Sequence, residues 1–281
     1  MDQIKFTRFL LLLSLSAAYG KYVYVPRWVS WSEAQNYCRL FHTDLAPVND
    51  RQDTDRLQKL AGDSENFLWT GMERSSTNGG KWIWSGGKEV STFFWAPGQP
   101  DNRPSEDYGV IQMYGWHDAV PSYRLPFFCY SAVVVRQRKT WEEALAHCRE
   151  HHSDLASVAS ETEMLLIRRQ LDKLGSTDHV WIGLHFFPGG WQWVDGRPLD
   201  YEAWGQGNKP ACPQFHLGCA AVQVTGRGQI ISSADLTLAV NATEGMGSVG
   251  NTATNIGLDT SGAAGVWEAH DCEEKLHFIC Y

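Results

Sequence analysis

The tryptophans of this chain come in matched pairs. Of 13, all but Trp28 fall into six pairs: Trp31/Trp141, Trp69/Trp181, Trp82/Trp191, Trp84/Trp193, Trp95/Trp204 and Trp116/Trp267. The flanking sequence repeats as well. "WSEAQNYCRLFHTDLA" from Trp31 has its counterpart in "WEEALAHCREHHSDLA" from Trp141, and "FFCY" at Phe127 in "FICY" at Phe278. A repeat of this length is the size of a domain, not of a solenoid unit. The chain therefore reads as two copies of one domain, 21–130 and 131–281, joined with almost no linker.

The spacing between copies stays near 110 for the first five tryptophan pairs and jumps to 151 at Trp116/Trp267. That step places an insertion in copy two at about 225–265. The segment holds no aromatic residue and no cysteine and is rich in Gly, Ala, Ser and Thr. Such a composition buries little, so a long irregular loop is the default reading. Translated non-coding sequence is the alternative. Asn241-Ala-Thr243, the chain's single glycosylation sequon, lies inside it.

Local signals give the elements of the repeat. Ser30-x-x-Glu33 and Thr140-x-x-Glu143 are capping boxes, and Trp31, Ala34 and Cys38 then recur on one helical face, as do Trp141, Ala144 and Cys148. Ser160-x-x-Glu163 opens a second helix. Short aromatic-rich runs broken by Gly, Pro, Asn and Asp follow and read as strands and long loops. The class is α+β.

Residues 1–20 read as a signal peptide, with Lys5 and Arg8 before the apolar FLLLLSLSAA and small residues at Ala18 and Gly20. That apolar run falls short of the ~20 residues a membrane span needs. The expectation is a secreted, extracellular protein without a membrane span, in a compartment where cysteines pair. A formal charge of −8 and no basic stripe argue against a nucleic-acid partner.

The seven cysteines sort by the repeat. Cys38 and Cys129 correspond to Cys148 and Cys280, so each copy ties its first helix to its last strand. Cys219 and Cys272 fall on Tyr108 and Pro121 of copy one, absent together as two halves of one bond should be. Cys212 is left over, to pair with another chain or remain a thiol.

In their order, "WSEAQNYCR…TDLA", "WTGM/WIGL", "WIWSGG/WQWVDG", "GQPD", "SED", "WHD" and "FFCY/FICY" resemble the C-type lectin-like domain, in two tandem copies covering nearly all of the chain outside the insertion. The resemblance implies two helices flanking antiparallel sheets, with a long loop region that carries a calcium-dependent sugar site. It also implies that Gln99, Asp101, Glu106 and Asp118 hold Ca2+ in copy one and, with His117, bind sugar. The QPD triplet resembles the galactose type. Calcium takes 6–8 oxygen ligands, which carboxylates and amide carbonyls supply. Three departures are notable. His117 stands where the family has Asn, Arg103 where galactose binders place a stacking Trp, and the missing Tyr108/Pro121 bridge removes a brace beside the site. In copy two the same positions are Asn208, Pro210, Leu217, Glu268 and Ala269, which do not make a calcium site.

No enzyme is expected. Gly245-x-Gly247-x-x-Gly250 matches a dinucleotide fingerprint only formally, inside the insertion and without a following helix pattern. His151-His152-Ser153-Asp154 matches Phe41-His42-Thr43-Asp44 of copy one and suits a helix end. The expected function is calcium-dependent carbohydrate binding through copy one, the partner being a glycan or glycoprotein. The alternative is a calcium-independent protein-interaction module built on degenerate lectin-like domains.

Overall fold

A computed structural model describes residues 18–62, 64–77, 79–113, 115–174, 179–205, 209–214, 216–223 and 266–281. Most of the leader reading, the whole 225–265 insertion with Asn241, and Asn208 lie outside them. The first copy runs β1 (Ala18–Tyr19), β2 (Tyr22–Val29), α1 (Trp31–Phe41), β3 (Asp44–Leu45), α2 (Arg51–Leu60), β4 (Leu68–Arg74), β5 (Trp82–Trp84), β6 (Tyr108–Gln112), β7 (Gly115–Ala119) and β8 (Leu125–Tyr130). The second runs β9 (Val133–Lys139), α3 (Trp141–His151), α4 (Glu161–Leu171), β10 (His179–Phe187), β11 (Gly190–Trp193), β12 (Cys219–Gln223), β13 (Trp267–His270) and β14 (Leu276–Cys280).

The first sheet is ordered β1-β2-β8-β4-β6-β7 and the second β13-β12-β10-β14-β9. The ladders are antiparallel except β4–β8 and β10–β14, which are parallel. The sheets are thus mixed, where the resemblance implied antiparallel. The reason is that the whole long-loop region lies between the paired strands, a connection long enough for a parallel crossover.

The repeat is exact at the level of registers. β6–β7 pairs Gly109↔Asp118 and Ile111↔Trp116; β12–β13 pairs Ala220↔Ala269 and Val222↔Trp267. In sequence, the insertion lies between β12 and β13. Two of the tryptophan pairs also keep matched hydrogen bonds that place the buried indole N–H. Trp31 donates to the Thr70 carbonyl and Trp141 to that of Ile182, both at 2.9 Å. Trp69 and Trp181 donate to Val29 and Lys139, both at 3.0 Å. Glycine in "WTGM" and "WIGL" has a steric cause: a Cβ would sit 2.8 Å from the Leu45 carbonyl oxygen at Gly71 and 2.5 Å from that of Leu155 at Gly183.

Disulfides join Cys38–Cys129, Cys148–Cys280 and Cys219–Cys272, and Cys212 is an exposed free thiol. Both capping boxes on α1 and α3 form. Ser160-x-x-Glu163 opens α4 with only half of a capping box. Ser160 caps the Glu163 amide, but the Glu163 side chain does not return to Ser160. It bonds the Ala159 amide at 3.0 Å and turns into the seam between the copies, where it meets Asn49 and Lys21.

That seam is the deepest feature of the fold. One hydrophobic core spans both copies, with Tyr22, Trp84 and Tyr130 from the first and Val158, Ile182, Trp193 and Tyr281 from the second. Tyr130 and Tyr281, equivalent positions, meet hydroxyl to hydroxyl at 2.8 Å, the self-complementary contact of a pseudo-twofold axis. Asp53 and Glu163, also equivalent, are fully buried. Asp53 takes the Tyr22 hydroxyl at 2.7 Å, Arg197 at 3.0 Å and Lys21 at 3.5 Å. Burial alone would raise the Asp53 pKa, but Lys21 and Arg197 outweigh it and hold the carboxyl far below its usual range.

Arg197→Ala should destabilise the protein by about 3 kcal/mol, the low end for breaking a buried pair because Lys21 remains, as measured by denaturant titration. Because the folded pKa of Asp53 is depressed, its stabilising contribution is complete above the ordinary aspartate value of 3.8 and is lost as pH falls below it. The melting temperature of the parent should therefore drop more steeply below that pH than that of Asp53→Asn.

Candidate functional site

The sequence-expected ligands converge on the loop between β5 and β6 and on β7. The loop is stitched to β7 on both sides of Trp116, whose amide donates to the Phe94 carbonyl at 2.8 Å and whose carbonyl accepts from Ala96 at 2.9 Å. Gly115 makes this approach feasible: it sits at φ 134°, and a Cβ there would lie 2.7 Å from the Phe94 oxygen. Trp95 and Phe94 pack edge-on against Trp116. The Gln99 amide then closes a turn onto Ala96 at 3.0 Å, and the Gln99–Pro100 peptide is cis.

Asp118, from β7, pins the next part of the loop. Its two carboxylate oxygens accept the amides of Asp101 at 3.1 Å and Asn102 at 2.8 Å. Glu106 accepts the Arg103 amide at 3.3 Å. Carboxylate oxygens of Asp101, Glu106 and Asp118 lie within 4.8 Å of one another, with Glu106 and Asp118 buried. Gln99 and His117 complete a pocket of about 150 Å³ with Phe67, Arg103 and Tyr123 on its walls.

Two observations bear on whether the pocket fits a cation. The side-chain oxygen of Gln99 is buried without a hydrogen-bond partner, and an unsatisfied buried acceptor is costly unless something takes its lone pair. Burial, with Asp101 and Asp118 close by, pushes the Glu106 pKa above its usual value; like charges in one site repel, and a cation relieves that. The donors are all oxygens, as a hard cation requires.

His117 is held differently from the amide it replaces. Its Nε2 is buried and unpartnered, and its ring meets Phe67 edge-on at 5.0 Å. Burial lowers its pKa against the pull of Asp118 and Asp101, so it does not add a positive charge to the site near neutral pH. Arg103 reaches over instead and pairs with Asp101 at 3.1 Å, largely exposed. The brace counted as missing is replaced: the Tyr108 ring packs 4.6 Å from Trp31, and Pro121 takes the Trp31 amide just as Cys272 takes that of Trp141.

Sequence reasoning missed Asn102. It adopts φ 53°, gives its amide to Asp118 and accepts from Arg74 at 2.7 Å. The signal was the tolerance of Asn for left-handed backbone. In the second copy, Pro210, Leu217 and Ala269 bring no oxygen ligand from their side chains; the Pro210 carbonyl is taken by the Trp191 indole. Glu268 instead pairs with His179 at 2.9 Å. Among the described residues no helix is long and apolar enough to cross a membrane.

Comparison with known proteins places the chain in a family. The family model "Lectin C-type domain" matches residues 28–131 and 137–235. C-type mannose receptor 2 of Rattus norvegicus is 26% identical over 238 residues, covering 69% of this chain and 16% of that protein. Lymphocyte antigen 75 of Homo sapiens is 23% identical over 290 residues, covering 90% of this chain and 14% of that protein. The chain thus spans under a fifth of the length of these relatives. Among solved structures, the C-type lectin CEL-I from Cucumaria echinata is 24% identical with a TM-score of 0.36, covering 40% of this chain and 91% of that one.

Asp118→Ala should free the Asp101 and Asn102 amides. Each bond to a charged acceptor contributes about 1.5–3 kcal/mol, so hydrogen exchange at these two amides should accelerate at least about tenfold, with the β2–β8 amides unchanged.

Proposed function

The chain belongs to the C-type lectin domain family, and from that premise we propose that its first domain binds calcium and, through it, a carbohydrate. Gln99, Asp101, Glu106 and Asp118 are the proposed ligands. The observation that carries the reading is the unpartnered Gln99 oxygen beside three convergent carboxylates. Bound there, calcium would supply open coordination positions for two adjacent sugar hydroxyls.

The chain's own residues do the rest. Asp118 and Glu106 hold the loop backbone in place through three amide bonds, so little ordering is left for ligand binding. Asp101 and Gln99 face the pocket and offer acceptors to sugar hydroxyls. Tyr123, half exposed on the pocket wall, offers an aromatic face where Arg103 replaces the stacking tryptophan of galactose binders. The second domain, with Pro210, Leu217 and Ala269 at three of these positions, serves as the buttress that buries one side of the shared core. The proposed setting is extracellular, with residues 1–20 as the leader, whose removal would take β1 with it, and a glycan or glycoprotein as partner.

One observation favours the alternative, a calcium-independent protein-interaction module. The Arg103 guanidinium already pairs with Asp101 and supplies the positive charge itself. The two readings separate cleanly. Calorimetric titration of the full chain should show one calcium site, with an affinity around the ~10⁻⁴–10⁻³ M of extracellular modules. Protein retained on immobilised galactose should elute with a chelator. Asp118→Ala should abolish both. The absence of calcium heat in the parent sinks the lectin reading.

Two substitutions report on the departures from the family pattern. Arg103→Gln removes an exposed competitor pair worth about 0.2–1 kcal/mol and should tighten calcium up to about fivefold. His117→Asn adds an oxygen donor and should tighten it further; unchanged affinity in both variants places the cation elsewhere.

A further inference from the structure

We infer that the second domain carries a cation site of different chemistry, for a borderline divalent ion such as zinc, made by His179, Glu268 and His270. It occupies the hairpin that in the first domain supports the oxygen site, but uses other positions. By register, Glu268 takes the place of His117 and His270 that of Ala119. His179 takes the place of Phe67 in the repeat.

The strand order explains why the three meet. His179 opens β10, while Glu268 and His270 alternate on one face of β13. β12 lies between these strands, and its Ala221 is paired with Glu268 on one side and Trp181 on the other. A methyl group at that central position leaves room for the longer side chains of both flanking strands to close over it. The two imidazole rings lie 4.2 Å apart between centroids, with Trp181 edge-on to His270 at 6.0 Å as a wall.

The donor atoms are poised for a metal. One ligand atom from each residue lies within 4.8 Å of the others. His179 Nε2 is 2.9 Å and His270 Nε2 3.7 Å from the same Glu268 oxygen. At the metal–ligand distances of zinc, ligand atoms in a tetrahedron stand about 3.3 Å apart, so shifts of a few tenths of an ångström suffice for these two pairs. The His270 Nε2 is buried and has no hydrogen-bond partner. Its other nitrogen, Nδ1, lies 3.2 Å from Glu274, which is itself fixed by the Asp271 amide at 3.2 Å. A carboxylate behind the ring leaves Nε2 with its lone pair facing the site, the arrangement that orients metal-binding histidines.

Two imidazoles and one carboxylate suit zinc and related ions, and disfavour calcium. The side chains of His179, Glu268 and His270 are 25%, 39% and 15% exposed, so the fourth position opens to solvent. A second cluster in this domain, His185 with Cys219 and Cys272, offers no thiolate because those cysteines are bonded to each other.

The test uses the full chain, with zinc chloride as the probe. Calorimetry should give one zinc site per chain that excess calcium does not displace, and cobalt should give the visible absorption of a tetrahedral nitrogen/oxygen site. His179→Phe, which installs the residue of the first domain, and His270→Ala should abolish both signals. Glu274→Gln should weaken zinc by about ten- to a hundredfold. Asp118→Ala should leave zinc binding unchanged, which keeps this outcome separate from that of the calcium site. Melting curves in chelator should match the parent for His179→Phe and Glu274→Gln, showing that they fold. No zinc heat in the parent, or equal zinc binding in His179→Phe and His270→Ala, overturns the inference.

Discussion

Two buried carboxylates, Asp53 and Glu163, set the terms for the rest of the molecule. Each is the third residue of its domain's second helix, and each is fully buried at the seam. A charge in that position is tolerable only with partners and hydrogen bonds at hand. The partners come across the boundary: Lys21 of the first domain reaches Glu163, and Arg197 of the second reaches Asp53. Each acid also bonds within its own domain, Asp53 to Tyr22 and Glu163 to the Ala159 amide, but each takes a cation from the other copy, so the tandem copies are tied into one body around a shared core, with Tyr130 meeting Tyr281 near the axis.

That tie lies at one side of the first sheet and leaves its far edge apart from the seam. In the first sheet, β2 and β8 carry the seam residues Tyr22 and Tyr130, while β6 and β7 form the opposite edge. There the β6–β7 hairpin holds an oxygen-lined pocket in the first domain. The same hairpin in the second domain, with the same registers, holds nitrogen donors and a carboxylate. One scaffold thus presents two donor chemistries, and the substitutions responsible include Asp118 against Ala269, His117 against Glu268, Ala119 against His270 and Phe67 against His179.

Much of this was legible in advance because it depends on spacing. Tryptophan pairs, capping residues and the two cysteines missing together all follow from comparing a sequence with itself. Asp101, Glu106 and Asp118 were recognisable because motif order carries them into one place. What escaped were contacts that join residues with no periodic relation. Glu163 looked like half of a capping box, and only the opposing domain shows why its carboxylate turns away. Arg103 looked like an absent tryptophan, whereas it pairs with Asp101. His179 and His270 carried no motif, since their proximity arises from two strands flanking an alanine on a third.

The sequence by itself determined the duplicated α+β domain, the helix starts, the pairing of six cysteines and which oxygen-bearing side chains the first domain carries in its loop. Each of these is written in local pattern or in the repeat, where like residues recur at like places. Only the tertiary structure decided how the copies lock together, which acids are buried between them and which histidines converge. Those outcomes hinge on strand order and on the interface between the two copies, and burial of charge is a property of the assembled fold that no single stretch of chain encodes.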